Sequence, residues 1–157
     1  MNVEYINPFI EACRLVLRQV VHAEAVLGKI YVKNSPYAGS AVIIIVGITG
    51  DLKGQAVLSL DNDTARVIAS VMMGGMPVEE LNELSRSAVS ELVNIILGTA
   101  ASLLSQKKIH CDITPPTMLT GEGVRISSDK MTTVCIPITW DDGSKSIELD
   151  ISIASSH

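Results

Sequence analysis

The sequence predicts an α/β fold of the α+β type, a mixed or antiparallel sheet with its long helices packed on one face. Two segments carry apolar residues at helical spacing, most of the remainder alternates or clusters as strands broken by Gly, Pro and Asp turns, and the order helix-then-strands occurs twice. With 157 residues, 47% of them hydrophobic, and a formal net charge of -5, the chain is long enough for one domain over 1–157 and too apolar for disorder. A domain of this length buries roughly two-thirds of the surface its unfolded chain exposes, so it needs no disulfide or metal to hold a core.

From about Ile6 to Val21, residues Phe9, Ile10, Cys13, Val16, Leu17 and Val20 recur on one helical face, with Pro8 tolerable in the first turn. Ala25 to Lys33 reads as a strand, NSPYAG as a turn, Ser40 to Gly50 as a largely buried strand, and Gly54 to Leu60 as its partner across the hairpin signal GDLKG. Asp61 or Asn62 caps a helix running through TARVIASVMMG, which Gly74-Gly75 ends ahead of Pro77. Those glycines follow a helix instead of opening one after a strand, which argues against a phosphate cradle. A longer helix covers about Leu84 to Gln106, and IHCDITPPTML, GEGVRISS, MTTVCIPITW and SKSIELDISIA follow as strands. The repeated order suggests a diverged duplication around one shared sheet.

Several function classes are disfavoured. The first residues, MNVEYINPF, carry acids and a proline where a secretory signal has a basic flank, and AVIIIVGI is far short of the roughly 20 residues of a membrane-spanning helix. The acidic balance and scattered cations disfavour nucleic acid, and Lys107-Lys108 reads as a solvated helix end. Cys13, Cys111 and Cys135 cannot all pair internally; they read as ordinary buried thiols, which fits a reducing cytoplasm. His22, His110 and His157 are dispersed, and Asp141-Asp142 belong to WDDGSK, a hairpin turn, so no hydrolytic triad is indicated. Met72, Met73 and Met76 read as helix packing and helix-end filling, and Trp140 either seals the core edge or touches a partner.

The long helix holds the surface that the fold does not explain. At about 100° per residue, Val89, Leu92, Val93, Ile96, Ala100, Leu103 and Leu104 fall on one side, while Ser87, Glu91, Asn94, Gly98, Ser102 and Ser105 fall on the other. Glu91 and Asn94 therefore project together from a rigid element, with only small residues beside them. Glu-x-x-Asn on a helix also fits a plain solvated face.

The full stretch Ser87-x3-Glu91-x2-Asn94-x3-Gly98 resembles the active-helix signature of the CheC/CheX/FliY family of chemotaxis phosphatases. Chain length, the doubled helix-then-strands order and the MMGGMP segment ahead of the helix extend the resemblance over essentially the whole chain. CheC-type members carry the motif on two helices, whereas the first helix here offers Glu11-x2-Arg14, with arginine where asparagine is required. Glu11 and Arg14 read as a solvated pair, and the resemblance is closest to the CheX branch. It implies a CheC-like fold, a homodimer whose sheet extends between subunits, and a CheY-like response regulator, phosphorylated on aspartate, as the substrate.

On that resemblance, Asn94 is the catalytic carboxamide that orients the hydrolytic water, and Glu91 pairs with the regulator's lysine. Ser87 and Gly98 are contact positions that permit close docking. No cofactor of the chain's own is implied; Mg2+ is expected to be bound by the regulator. A noncatalytic scaffold that docks a receiver domain is the alternative, and a purely structural dimerisation module a third reading.

Overall fold

The computed structural model describes residues 3–34, 37–127 and 132–156. Helix α1 (Val3–Val16) starts earlier than its apolar pattern suggests, so Pro8 lies inside it instead of in its first turn. The helix widens into a π-helical turn over Leu17–Val21, and His22 ends it in the left-handed region at φ 60°. Short strands β1 (Val26–Leu27), β2 (Tyr31–Lys33) and β3 (Tyr37–Ala38) precede the long hairpin of β4 (Val42–Gly50) and β5 (Leu52–Leu60). Helix α2 (Asn62–Met72) is capped by Asp61, whose Oδ1 accepts the Thr64 N–H at 2.7 Å. Gly74 and Gly75, at φ 77° and 93°, turn the chain after it. Helix α3 (Glu83–Gln106) is followed by β6 (Cys111–Ile113), β7 (Thr117–Thr120), β8 (Arg125–Ile126), β9 (Thr133–Trp140) and β10 (Lys145–Ser155).

The main sheet runs β1-β9-β10-β5-β4-β6, with β2 also on β9 and β7 also on β4, and its ladders are antiparallel. Alternation along the strands sends Val42, Ile44, Val46, Leu58, Ile136, Leu149 and Ile151 into one core with Phe9, Leu17, Ile68, Leu92, Ile96 and Leu97 from the helices. All three helices thus cover the same face. By length and composition α3 is apolar enough to cross a membrane, yet its apolar stripe is buried against α1, α2 and the sheet.

The stretch from Ala25 to Lys33, expected as one strand, is broken in two. Leu27 pairs with Ile138 but Tyr31 with Cys135, so the strand gains one residue on its partner between them. The break lies opposite Pro137, which has no N–H to donate; Gly28 instead gives its own N–H to the Pro137 carbonyl at 2.8 Å. The expected strand GEGVRISS contributes only β8, which pairs with β3 where a turn was expected; Ser35, Pro36, Ser128 and Met131 lie outside the described residues. The hairpin at WDDGSK is present, with Asp141, Asp142 and Gly143 all at positive φ and Trp140 buried at the core edge. Met72 and Met73 are half-buried, but Met76 is 58% exposed, because the glycine turn carries it off the helix.

The far face of the sheet carries a small apolar cluster, Ile43, Val57 and Ile126, beside a polar one of which Asp150 is the buried member. There Lys33 Nζ donates to Glu148 Oε2 at 2.7 Å and the Tyr31 hydroxyl donates to Glu148 Oε1. Asp150 is fully buried, with no donor for either carboxylate oxygen among the described residues. Burial, and then the charge of Glu148, pushes its pKa up to about 7. Burial likewise raises the thiols: Cys13 to about 12, and Cys135 further. Cys111 is only partly buried, short of the full burial expected for it.

Two stability measurements follow from this packing. Leu97, fully buried under α3, when changed to Ala should cost about 2–5 kcal/mol in denaturant unfolding. A folded chain whose Asp150 titrates near 7 holds a proton that the unfolded chain releases from about pH 4 upward, so Asp150 makes stability fall as pH rises across that interval. Asp150→Asn removes this slope, and its gain in unfolding free energy over wild type should be about 2–3 kcal/mol larger at pH 7.5 than at pH 5. Parallel pH profiles for the two proteins would contradict this account.

Candidate functional site

Helix α3 begins with a reciprocal cap: Asn82 Oδ1 accepts the Ser85 N–H at 2.9 Å, and Ser85 Oγ accepts the Asn82 N–H at 2.8 Å. From there the apolar stripe Val89, Leu92, Val93, Ile96, Leu97, Ala100 and Leu104 is buried. With that side committed to the core, Ser87, Glu91 and Asn94 are turned the other way. Ser87 and Glu91 are exposed, and Asn94 is half-buried.

These three side chains line one side of an open cleft of about 600 Å³, together with Glu83, Arg86 and Ser90. Residues 113–116, the corner between β6 and β7, form the opposite side. Gly98 lies one turn further along α3 and does not line the cleft. Nothing lies within 4 Å of the place a Cβ on Gly98 would take, so packing within the chain does not demand glycine there.

The cleft offers a carboxylate, a carboxamide, hydroxyls and one guanidinium. Its lining contains no histidine, cysteine or lysine to activate Ser87 or Ser90 as a nucleophile. Arg86 Nη2 donates to Thr120 Oγ1 at 3.0 Å, tying the helix to β7. Arg86, Ser90 and the 113–116 corner were not singled out from the sequence. The usable signal was the pair Pro115-Pro116 inside an otherwise strand-like run, since proline cannot continue a ladder.

The equivalent face of α1 lines a second groove of about 560 Å³ with Asn7, Glu11 and Arg14, beside Leu27 and Ile30. Glu11 and Arg14 are both exposed, and Arg14 follows Glu11 at the spacing at which Asn94 follows Glu91. His22 and His110 are exposed and lie in neither groove; the His110 N–H donates to Asp51 Oδ2 at 2.8 Å, and His157 lies outside the described residues. Among the described residues Cys135, Glu148 and Asp150 bring possible metal-ligand atoms within 4.8 Å of one another. The Lys33 ammonium already gives that cluster its cation, and burial keeps the Cys135 thiol protonated, so the cluster reads as structural.

The family model described as "Chemotaxis phosphatase CheX" matches residues 42–139, a span that includes all of α3. The chain is 34% identical over 128 residues, 82% of its length and 83% of the other, to the CheY-P phosphatase CheX of Thermotoga maritima. Among solved structures it resembles a CheC-like superfamily protein from Shewanella sp. PV-4 at 26% identity and TM-score 0.86, covering 99% of this chain and 100% of that one. It also resembles a chain of the CheX-CheY-BeF3-Mg2+ complex from Borrelia burgdorferi at 31% identity and TM-score 0.80, covering 98% and 100% respectively. The sheet with its helices on one face, the Ser87-Glu91-Asn94 helix and these matches agree: the chain belongs to the CheX family of chemotaxis phosphatases.

Proposed function

We propose that the chain hydrolyses the aspartyl phosphate of a CheY-like response regulator by presenting the polar face of α3 to the regulator's active site. The observation that carries this reading is the pair Glu91 and Asn94, side by side on a rigid, uncovered helix face in a chain of this family. An acyl phosphate needs its developing charge compensated and a water held in line with the leaving oxygen. The regulator supplies the charge compensation through its divalent cation and a lysine. Asn94 supplies the alignment, because a neutral carboxamide can both donate to and accept from a water without bringing charge toward the phosphoryl group. Its half-buried position limits the rotamers it has to give up on docking.

Glu91, fully outside the core, reaches the regulator's lysine and sets the register of the complex. Ser87 and Gly98 keep the helix surface low enough for close approach. The same reading places the protein in the cytoplasm, where receiver domains reside, and makes it a dimer. The uncovered edge formed by β1 and β2 supports the dimer: Val26 and Val32 are 62% and 60% exposed there, next to Ile30 and Tyr31.

With Mg2+ and a phosphorylated CheY-like regulator, the wild-type protein accelerates phosphate release. Asn94→Ala removes on the order of a hundredfold or more of that acceleration at saturation while binding stays within a few-fold. Glu91→Ala weakens binding roughly tenfold or more. A wild-type protein that binds the regulator without shortening the lifetime of its phosphate would make the chain a receiver-docking scaffold instead. In sedimentation, Val32→Lys shifts the dimer toward monomer; an unshifted profile would place the interface elsewhere.

A further inference from the structure

We infer that the bulge at residues 114–116 is the second wall of the regulator-docking site, with Pro115 and Pro116 as contact residues and Thr114 as the positioning residue behind them. The inference rests on the regulator-phosphatase reading and adds to it a surface contributed by the sheet.

Strands β6 and β7 are one edge strand interrupted. Ile48 pairs with Ile113 and Ile45 with Thr117, so residues 114–116 stand opposite only Val46 and Gly47 of β4. Three residues against two is a bulge, and here it holds two prolines, neither of which can donate to the ladder. The extra length leans toward α3 and closes the cleft opposite Glu91 and Asn94.

The bulge is held from behind. The Thr114 N–H donates to the Gly47 carbonyl at 3.0 Å, and Thr114 Oγ1 accepts the Gly47 N–H at 2.8 Å. That hydroxyl in turn donates to the Pro115 carbonyl at 3.3 Å. The approach is close: a Cβ on Gly47 would stand 3.0 Å from Thr114 Cγ2, so a larger residue there would push on the threonine. One threonine therefore satisfies the strand and orients the first proline, leaving two rigid rings with no N–H donors on the cleft side.

The two walls differ in chemistry. The α3 wall carries the ionic and water-orienting groups, and the proline wall is rigid and apolar apart from carbonyls. Such a wall fits an uncharged stretch of the receiver domain flanking its phosphoaspartate. The proline wall contributes affinity and register, while the chemical step stays with α3.

Phosphate release from the phosphorylated regulator, with Mg2+ present, is measured for Thr114→Val, Thr114→Ser and the pair Pro115→Ala/Pro116→Ala. Binding is titrated with the beryllofluoride-loaded regulator. Thr114→Val and the proline pair raise KM and Kd roughly tenfold, and kcat at saturation moves less than about twofold; Thr114→Ser restores wild-type KM. The proline pair breaks no hydrogen bond of the Gly47 contact, so its effect separates docking from loss of fold. Wild-type KM and Kd in the proline pair, or a loss confined to kcat, overturns the inference. A wild-type protein that binds the regulator but releases no phosphate sinks the phosphatase reading alone, and Kd for the same variants still decides the wall.

Discussion

Burial of the apolar stripe of α3 sets the orientation of everything else. Each fully buried leucine or isoleucine on it stabilises the fold by about 1.5–3 kcal/mol, and Leu92, Ile96, Leu97 and Leu104 are all at 1% exposure or less. Rolling the helix would expose those side chains and press the Glu91 carboxylate into the core, two costs that add. The polar side is thereby held in one place, with the Arg86–Thr120 hydrogen bond as a further tie to β7. The reciprocal cap between Asn82 and Ser85 fixes where the helix begins, and so which turn faces the β6–β7 corner.

The sheet divides its work between faces and edges. One face is apolar and covered by three helices; the other holds the Lys33, Tyr31, Glu148 and Asp150 cluster, where burial opposes ionisation of both carboxyls, hydrogen bonds from Lys33 and Tyr31 still hold Glu148 below its usual range, and Asp150 is pushed up. The edges differ just as much. At β1 and β2 the register slips opposite Pro137 and apolar side chains stay uncovered, whereas at β6 and β7 a proline bulge turns away from the ladder toward α3. Proline, by withholding a donor, shapes both edges.

The site on α3 is sparse for an enzyme. It holds no activated nucleophile, and its strongest groups are one carboxylate and one carboxamide. Under the proposed function, a partner brings the phosphoryl group, a cation and a lysine, and what this surface would add is geometry: a water aligned and a lysine held. Helix α1 also lines a groove, but its carboxamide, Asn7, precedes Glu11, and an arginine, Arg14, follows Glu11 at the spacing at which Asn94 follows Glu91.

Both long helices, the Asp61 cap, the glycine turn at Gly74-Gly75 and the split of α3 into a buried and an open side were readable in the sequence, because each depends on residues within a few positions of one another. Glu91 and Asn94 were readable for the same reason, being one helical turn apart. The second wall of the cleft, the tether from Arg86 to Thr120, the break of β1 from β2 and the buried cluster around Asp150 were not. Each joins residues that are distant in the chain and neighbours only through strand register, as Gly47 and Thr114 are. Local periodicity shows which side of an element is apolar, but register and bulges arise when particular strands meet, and that meeting placed a proline corner opposite the carboxamide of Asn94.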